Sequence, residues 1–333
     1  MTIMARFSVQ LRVVGAIASA SLTALSLFPT PTLAGDPFRS SNSGQIGNQT
    51  EAAFKAIFET GNYPQAKLYL QQAESSEPNE PLVYAMQASL AYTEQDWKSV
   101  NTYAEKTLKT AEQLTTTNPL RGNLYTAVGH FLQGAYNLSL VNNDPIKGGS
   151  QALNKLQEVF TYLDKAEKVG SDDAELNLLK GYMDLMMAVN LPFSNPKQAI
   201  ERLEKAGPSY LAYRGIAVGH RDLKDYDKAL EYVNRALAVT PSNPEVHYLK
   251  AQILVAKGKK QKDQSLFNEA KKDFNAALAK PDQLPKTLVA QMFYEQCKNQ
   301  KSVDSKERDC DGMRDKIRDA SGSWGPAKMP QLE

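Results

Sequence analysis

Histidine and cysteine are scarce in this chain, with three of the first and two of the second in 333 residues. No HExxH, GxSxG or GxxxxGK[ST] pattern occurs, so zinc-protease, nucleophile-elbow and phosphate-loop chemistries have no carrier. An excess of one charge is also missing, because Lys and Arg total 39 and Asp and Glu 37. Arg6 and Arg12 are the only charged residues of the first 34, so the remainder holds 37 of each sign. A nucleic-acid binder needs a basic stripe, and this balance argues against one. Long apolar runs are lacking beyond the N-terminus, since Asn177, Lys180, Asp184 and Asn190 interrupt the stretch from Leu176 to Leu191. The expectation is a non-enzyme without metal or cofactor, with no nucleic-acid partner and no membrane insertion once the N-terminus is removed.

What is present begins with a leader. Met1 to Arg12 carries two arginines, Val13 to Phe28 is an uncharged apolar run of 16 residues, and Pro29 to Ala34 reads PTPTLA. This order is that of a secretory signal peptide over 1–34, cut after Ala34. The alternatives are a membrane anchor, for which the run falls short of the roughly 20 residues needed to span a bilayer, and an organelle transit peptide. Residues 35–46 then read as a flexible polar leader. The remaining length exceeds one ordinary core, so two domains or a repeat array follow.

Repeats settle that choice. One constant offset places Tyr63, Ala66, Tyr69, Leu70, Ala73, Pro78 and Pro81 on Tyr226, Ala229, Tyr232, Val233, Ala236, Pro241 and Pro244. Tyr63, Ala66 and Leu70 recur 34 residues later as Trp97, Val100 and Ala104. Small residues at such positions let two helix backbones approach, and aromatics fill the wedge beside them. Pro78 and Pro241 end one helix, while Pro81 and Pro244 suit the first turn of the next.

These residues resemble the tetratricopeptide repeat, a 34-residue pair of antiparallel helices A and B. The match is regular in 47–80, 81–114 and 210–243. It is approximate between and beyond, with insertions around Asn142 to Ser150, at Leu191 to Asn195, and after Ala251. Gly148 and Gly149 read as loop. The fold expected is all-α, an α-α superhelix or solenoid of about six helix pairs over 47–283. A C-terminal helical cap follows over 284–320, then a flexible tail over 321–333 with Trp324 as an anchor. Cys297 and Cys310 lie in the cap with 12 residues between them. In an exported chain they are expected to form a disulfide, with two free thiols as the alternative.

The resemblance also implies where a partner binds, on the concave surface lined by helix A. Carried over, those positions give Lys55, Phe58, Tyr92, His130, Gln133, Tyr182, Arg214, Arg221, Tyr248 and Gln252, with Glu51, Ser89, Leu178 and Met186 beside them. They describe a mixed aromatic and basic groove suited to an extended peptide or an amphipathic helix. Glu51, Lys55, Arg214 and Val218 do not reproduce the carboxylate clamp of chaperone-binding members. The whole chain resembles exported tetratricopeptide-repeat proteins of cyanobacterial type, which implies the periplasm or thylakoid lumen. The expected function is a scaffold or assembly factor binding a protein partner. The alternative is an extracytoplasmic small-molecule or glycan binder.

Overall fold

The computed structural model describes residues 35–39, 46–140, 145–190 and 196–332. The signal peptide read over 1–34 and the insertion at 191–195 lie outside them. The described residues form six antiparallel helix pairs. They are α1 (Asn48–Phe58) with α2 (Tyr63–Ser76), α3 (Pro81–Thr93) with α4 (Trp97–Leu114), and α5 (Pro119–Ser139) with α6 (Pro145–Val169). Then come α7 (Ala174–Asn190) with α8 (Pro196–Leu203), α9 (Ser209–Asp222) with α10 (Tyr226–Val239), and α11 (Pro244–Gln261) with α12 (Gln264–Ala277). A 3-10 turn (Pro281–Gln283) leads to the cap, α13 (Lys286–Asp304) and α14 (Cys310–Arg318). The fold is the all-α superhelix expected.

The local chemistry of each pair repeats. The Asn62, Asp96 and Asp263 side chains accept the first N–H groups of α2, α4 and α12, while Asn118 and Asn243 do so for α5 and α11. Four of the turns joining a first helix to its second place one residue in the left-handed region: Gly61 (φ 67°), Gln95 (59°), Lys224 (60°) and Lys262 (57°). At the small positions the helices close up. Ala66, Ala73, Ala88, Ala104, Ala217, Ala229, Ala236, Ala251, Ala270 and Ala277 are all fully buried. A Cβ on Gly181 would lie 2.7 Å from Leu203 Cγ, so glycine is what admits α8 there.

Where they are described, two of the insertions are helical. α6 starts at Pro145, so Gly148 and Gly149, expected in a loop, lie inside a helix of 25 residues. Pro145 suits a first helical turn, where its missing N–H costs nothing. The insertion after Ala251 lengthens α11 to 18 residues. Cys297 and Cys310 are joined, with Cα atoms 5.7 Å apart, and tie α13 to the start of α14.

The chain closes on itself. The Asn243 carboxamide, while its oxygen caps α11, donates to the carbonyls of Phe58 (2.9 Å) and Glu59 (3.1 Å). Tyr63 donates to Glu245 at 2.8 Å. The first pair is thereby seated on the start of the sixth, and the concave surface becomes a partly enclosed groove.

The described parts of both segments expected to be loose, 35–39 and 321–332, make tertiary contacts. Phe38 is buried and meets Phe54 edge to face, with centroids 4.8 Å apart. Arg39 pairs with Asp36 (2.8 Å), Asp173 (2.7 Å) and Glu175 (3.0 Å). In the tail, Gly325 N–H donates to Leu284, Lys286 N–H donates to Ser323, and Lys67 Nζ lies 5.7 Å from the Trp324 ring. Trp324, named above as the tail's anchor, is partly buried against the core, and in the leader Phe38 finds a buried apolar seat. Burying an aromatic such as Phe38 contributes about 2 kcal/mol, to which the Arg39 ion pairs add.

Candidate functional site

Six helices converge on one cavity of about 430 Å³. Each is the first helix of its pair. α1 supplies Phe54 and Phe58, and α3 supplies Leu82, Ala85, Met86 and Ser89. α5 gives Tyr125, Val128, Phe131 and Leu132, and α7 gives Leu178, Leu179, Tyr182, Met183 and Met186. Leu211 and Arg214 of α9, Glu245 of α11 and Phe38 complete the wall. Of the residues expected in a groove, Phe58, Ser89, Leu178, Tyr182, Met186 and Arg214 meet here. Recurrence every three or four residues along α3 and α7 is what puts them on one face.

The groove is aromatic, as expected, but apolar rather than basic. Its one cation, Arg214, is paired with Glu245 at 2.6 Å, and this carboxylate holds the guanidinium above its ordinary value against the cost of burial. Glu245 also accepts from Tyr63, so the pair is built into the ring closure. Tyr182 donates to the Leu211 carbonyl at 2.8 Å, and burial pushes its hydroxyl up to about 12, so it stays a neutral donor. Lys55 pairs with Glu51 at 2.7 Å outside the groove lining.

A charged cluster pins the groove's edge. The Arg121 guanidinium spans Glu80 (2.9 and 3.0 Å) and Glu175 (2.9 and 3.3 Å), and Tyr125 donates to Glu175 at 2.6 Å. Arg39 reaches the same Glu175. Arg121, Glu80 and Glu175 are all buried, so this is a desolvated network joining α3, α5, α7 and residues 35–39. Nothing in the repeat pattern pointed to it. Arg121 stands in a first turn, and its partners lie 41 and 54 residues away.

The other expected residues fall elsewhere. His130 does not face the groove. It contacts α6, with Lys155 Nζ 3.4 Å from its Nδ1, Glu158 3.4 Å from Nε2, and the Tyr162 ring at 5.5 Å. Burial, then the Lys155 charge, lowers its pKa. The reason is the neighbouring glycine: a Cβ on Gly129 would lie 2.6 Å from Leu108 Cγ, so α5 sets that side on α4 and turns His130 onto α6. Gln133 follows it into a polar recess with Asn101, Asn137, Gln151, Asn154 and Lys155. Tyr92 is 53 % exposed at the end of α3, against the edge of Trp97.

Tyr248 and Gln252 are bonded to the cap, and Arg221 stands beside Gln252. Tyr248 donates to Glu295 of α13 at 2.7 Å, and burial, then Glu295, raises its hydroxyl. Gln252 donates to the same carboxylate (3.0 Å) and accepts from Arg221 (3.1 Å). Arg221 and Gln252 line a second cavity of about 880 Å³ with Lys259, Lys298 and Lys301. The described residues contain no group of three or more His, Cys, Asp or Glu placed to hold a metal ion. No helix among them is long and apolar enough to cross a membrane.

Comparison with known proteins agrees with the repeat reading. Residues 215–256 match the family described as the Fis1 C-terminal tetratricopeptide repeat. That window runs through most of α9, all of α10 and most of α11. The chain thus carries tetratricopeptide-like repeats, a class of fold that supports protein–protein interaction. No curated protein matches it. Among solved structures it is similar to PilW, described as a widely conserved type IV pilus biogenesis factor. The identity is 16 %, the TM-score 0.41, and 67 % of this chain and 88 % of that one are covered. It is also similar to a human IFIT1 dimer with PPP-AAAA, at 16 % identity and TM-score 0.42, covering 77 % of this chain and 57 % of that one.

Proposed function

We propose that the chain is an exported, non-catalytic scaffold or assembly factor whose groove receives a short apolar segment of a protein partner. The observation that carries this is a largely apolar wall built by five first helices and closed by Glu245 of the sixth. Such a wall binds by removing apolar surface from water, worth about 25 cal/mol per Å² covered. Tyr182 and the Arg214–Glu245 pair are the polar groups in or beside it that set register. Tetratricopeptide-like repeats and three groove methionines, which adapt to irregular apolar partners, support the same reading.

The location we propose is extracytoplasmic, in the periplasm or thylakoid lumen. The leader sequence and an oxidised Cys297–Cys310 pair support it. A small apolar molecule is the second reading, favoured by a cavity of about 430 Å³, within the usual range for ligand pockets. A glycan is poorly served, because the lining offers it few hydrogen-bonding groups.

The test is a random peptide display on the purified chain beginning at Gly35. Apolar peptides of four to eight residues should be enriched, lost with Met183→Asp in the groove and kept with Leu153→Asp on the exposed side of α6. Enrichment that survives Met183→Asp rejects the groove. No enrichment, with a melting shift from a small apolar compound, selects the second reading.

A further inference from the structure

The start of the described chain touches the solenoid at one specific carboxylate. A Cβ built on Gly35 would lie 1.6 Å from Glu51 Oε2. Backbone geometry keeps any residue's own nitrogen about 2.5 Å from its Cβ, so the Gly35 nitrogen lies within about 4 Å of that oxygen. In the uncut chain this nitrogen is a peptide N–H. Cleavage after Ala34 would make it an ammonium group, whose ordinary pKa near 8 leaves it charged at neutral pH.

The four residues that follow are anchored as a strap. The Asp36 carboxylate accepts the N–H groups of Phe38 (2.9 Å) and Arg39 (3.3 Å), which fixes a tight turn. Phe38 is a wall of the groove. Its carbonyl lies so close to Gly207 that a Cβ there would be 2.2 Å from the oxygen. Arg39 then fastens to Asp173 and Glu175 at the head of α7.

We propose that the α-amino group created by leader removal docks on the Glu51 carboxylate and locks the strap Gly35–Arg39 across the groove, so that processing completes the binding surface. This rests on the reading of 1–34 as a cleaved leader. In an uncut chain Glu51 has the Lys55 ammonium beside it but no charge on the Gly35 nitrogen. The other charged groups bearing on the pair are Lys55, 2.7 Å from Glu51, and Asp36, held by Arg39. Glu51 would thus bridge a lysine and the chain terminus, and the strap would be held at both ends by ion pairs.

Two measurements test this. The chain beginning at Gly35, released from a removable fusion, is compared with the same chain bearing one extra Ala before Gly35, each with and without Glu51→Gln. The titration of the α-amine is followed by the pH dependence of its labelling rate. It should have a midpoint about one pH unit higher with Glu51 than with Gln. The extra Ala should lower Tm by about 2 °C with Glu51, and have no effect with Gln. An amine that titrates alike with Glu51 and Gln, or an extension without effect on Tm, overturns the docking. The second measurement is the intact mass of the exported protein. A start at Gly35 supports the maturation role; any other start overturns that role even where the amine result holds. Neither measurement uses a partner, so their failure is separate from that of the groove as a binding surface.

Discussion

Replacing Arg121 by Met tests how the groove is held open. The substitution keeps most of the aliphatic stem and removes the charge. Arg121 donates four hydrogen bonds of 2.9–3.3 Å to Glu80 and Glu175, and both carboxylates are buried. Arg39 still reaches Glu175 at 3.0 Å, so that side keeps one partner. Glu80 loses the only ion pair it makes among the described residues. Stranding a buried charge in this way costs about 3–5 kcal/mol, and we expect about 4 kcal/mol at pH 7. Urea unfolding should show a lower midpoint at unchanged slope. The triple variant R121M/E80Q/E175Q removes the stranded charges and should recover at least half of the loss. A loss under about 1 kcal/mol for R121M, or a triple variant no better than R121M, refutes the reasoning.

Three further outcomes are expected. The three histidines should titrate apart in an NMR pH series. His247 should lie above the ordinary value, because Asp273 accepts from it at 2.8 Å and Pro241 at 3.0 Å, while burial holds His130 and His220 below it. A raised folded pKa stabilises below the ordinary value and the gain is lost as pH rises through the folded one. His247→Gln should therefore cost most stability below about pH 6.5 and progressively less as pH rises through the raised folded value; a constant cost contradicts the pairing. Gly122→Ala would put a Cβ 2.5 Å from the backbone nitrogen and Cα of Thr115, which cannot yield. It should cost about 2–3 kcal/mol in chemical unfolding, and a neutral result contradicts the close approach of α4 and α5. Opening the Cys297–Cys310 bond, which closes a loop with a sequence separation of 13, should cost about 3 kcal/mol. Melting curves with and without reductant should differ, and identical curves contradict a structural role.

The repeat pattern carried the fold because it is local. Small residues at Ala66, Ala73, Ala229 and Ala236 and the prolines at 81 and 244 state both the helix pairing and its breaks. The same periodicity located the groove where it stayed regular, at Phe58, Tyr182 and Arg214. It failed at His130 and Gln133, where Gly129 against Leu108 rotates α5, and at Tyr248 and Gln252, where α13 covers the concave face. It also missed that the groove's basic residue is neutralised by Glu245. The strap was illegible for a different reason: the partners of Arg39 on α7 are 134 and 136 residues away, and no periodicity relates them.

Site-specific photo-crosslinking in cells that express the chain tests whether the groove receives a protein partner. A photoreactive residue at Met186, in the groove, is compared with one at Val239, which is exposed at the end of α10. The account predicts that Met186 captures a discrete protein band that Met183→Asp abolishes, and that Val239 captures none. The same band from Val239, or a Met186 band that persists with Met183→Asp, would contradict it.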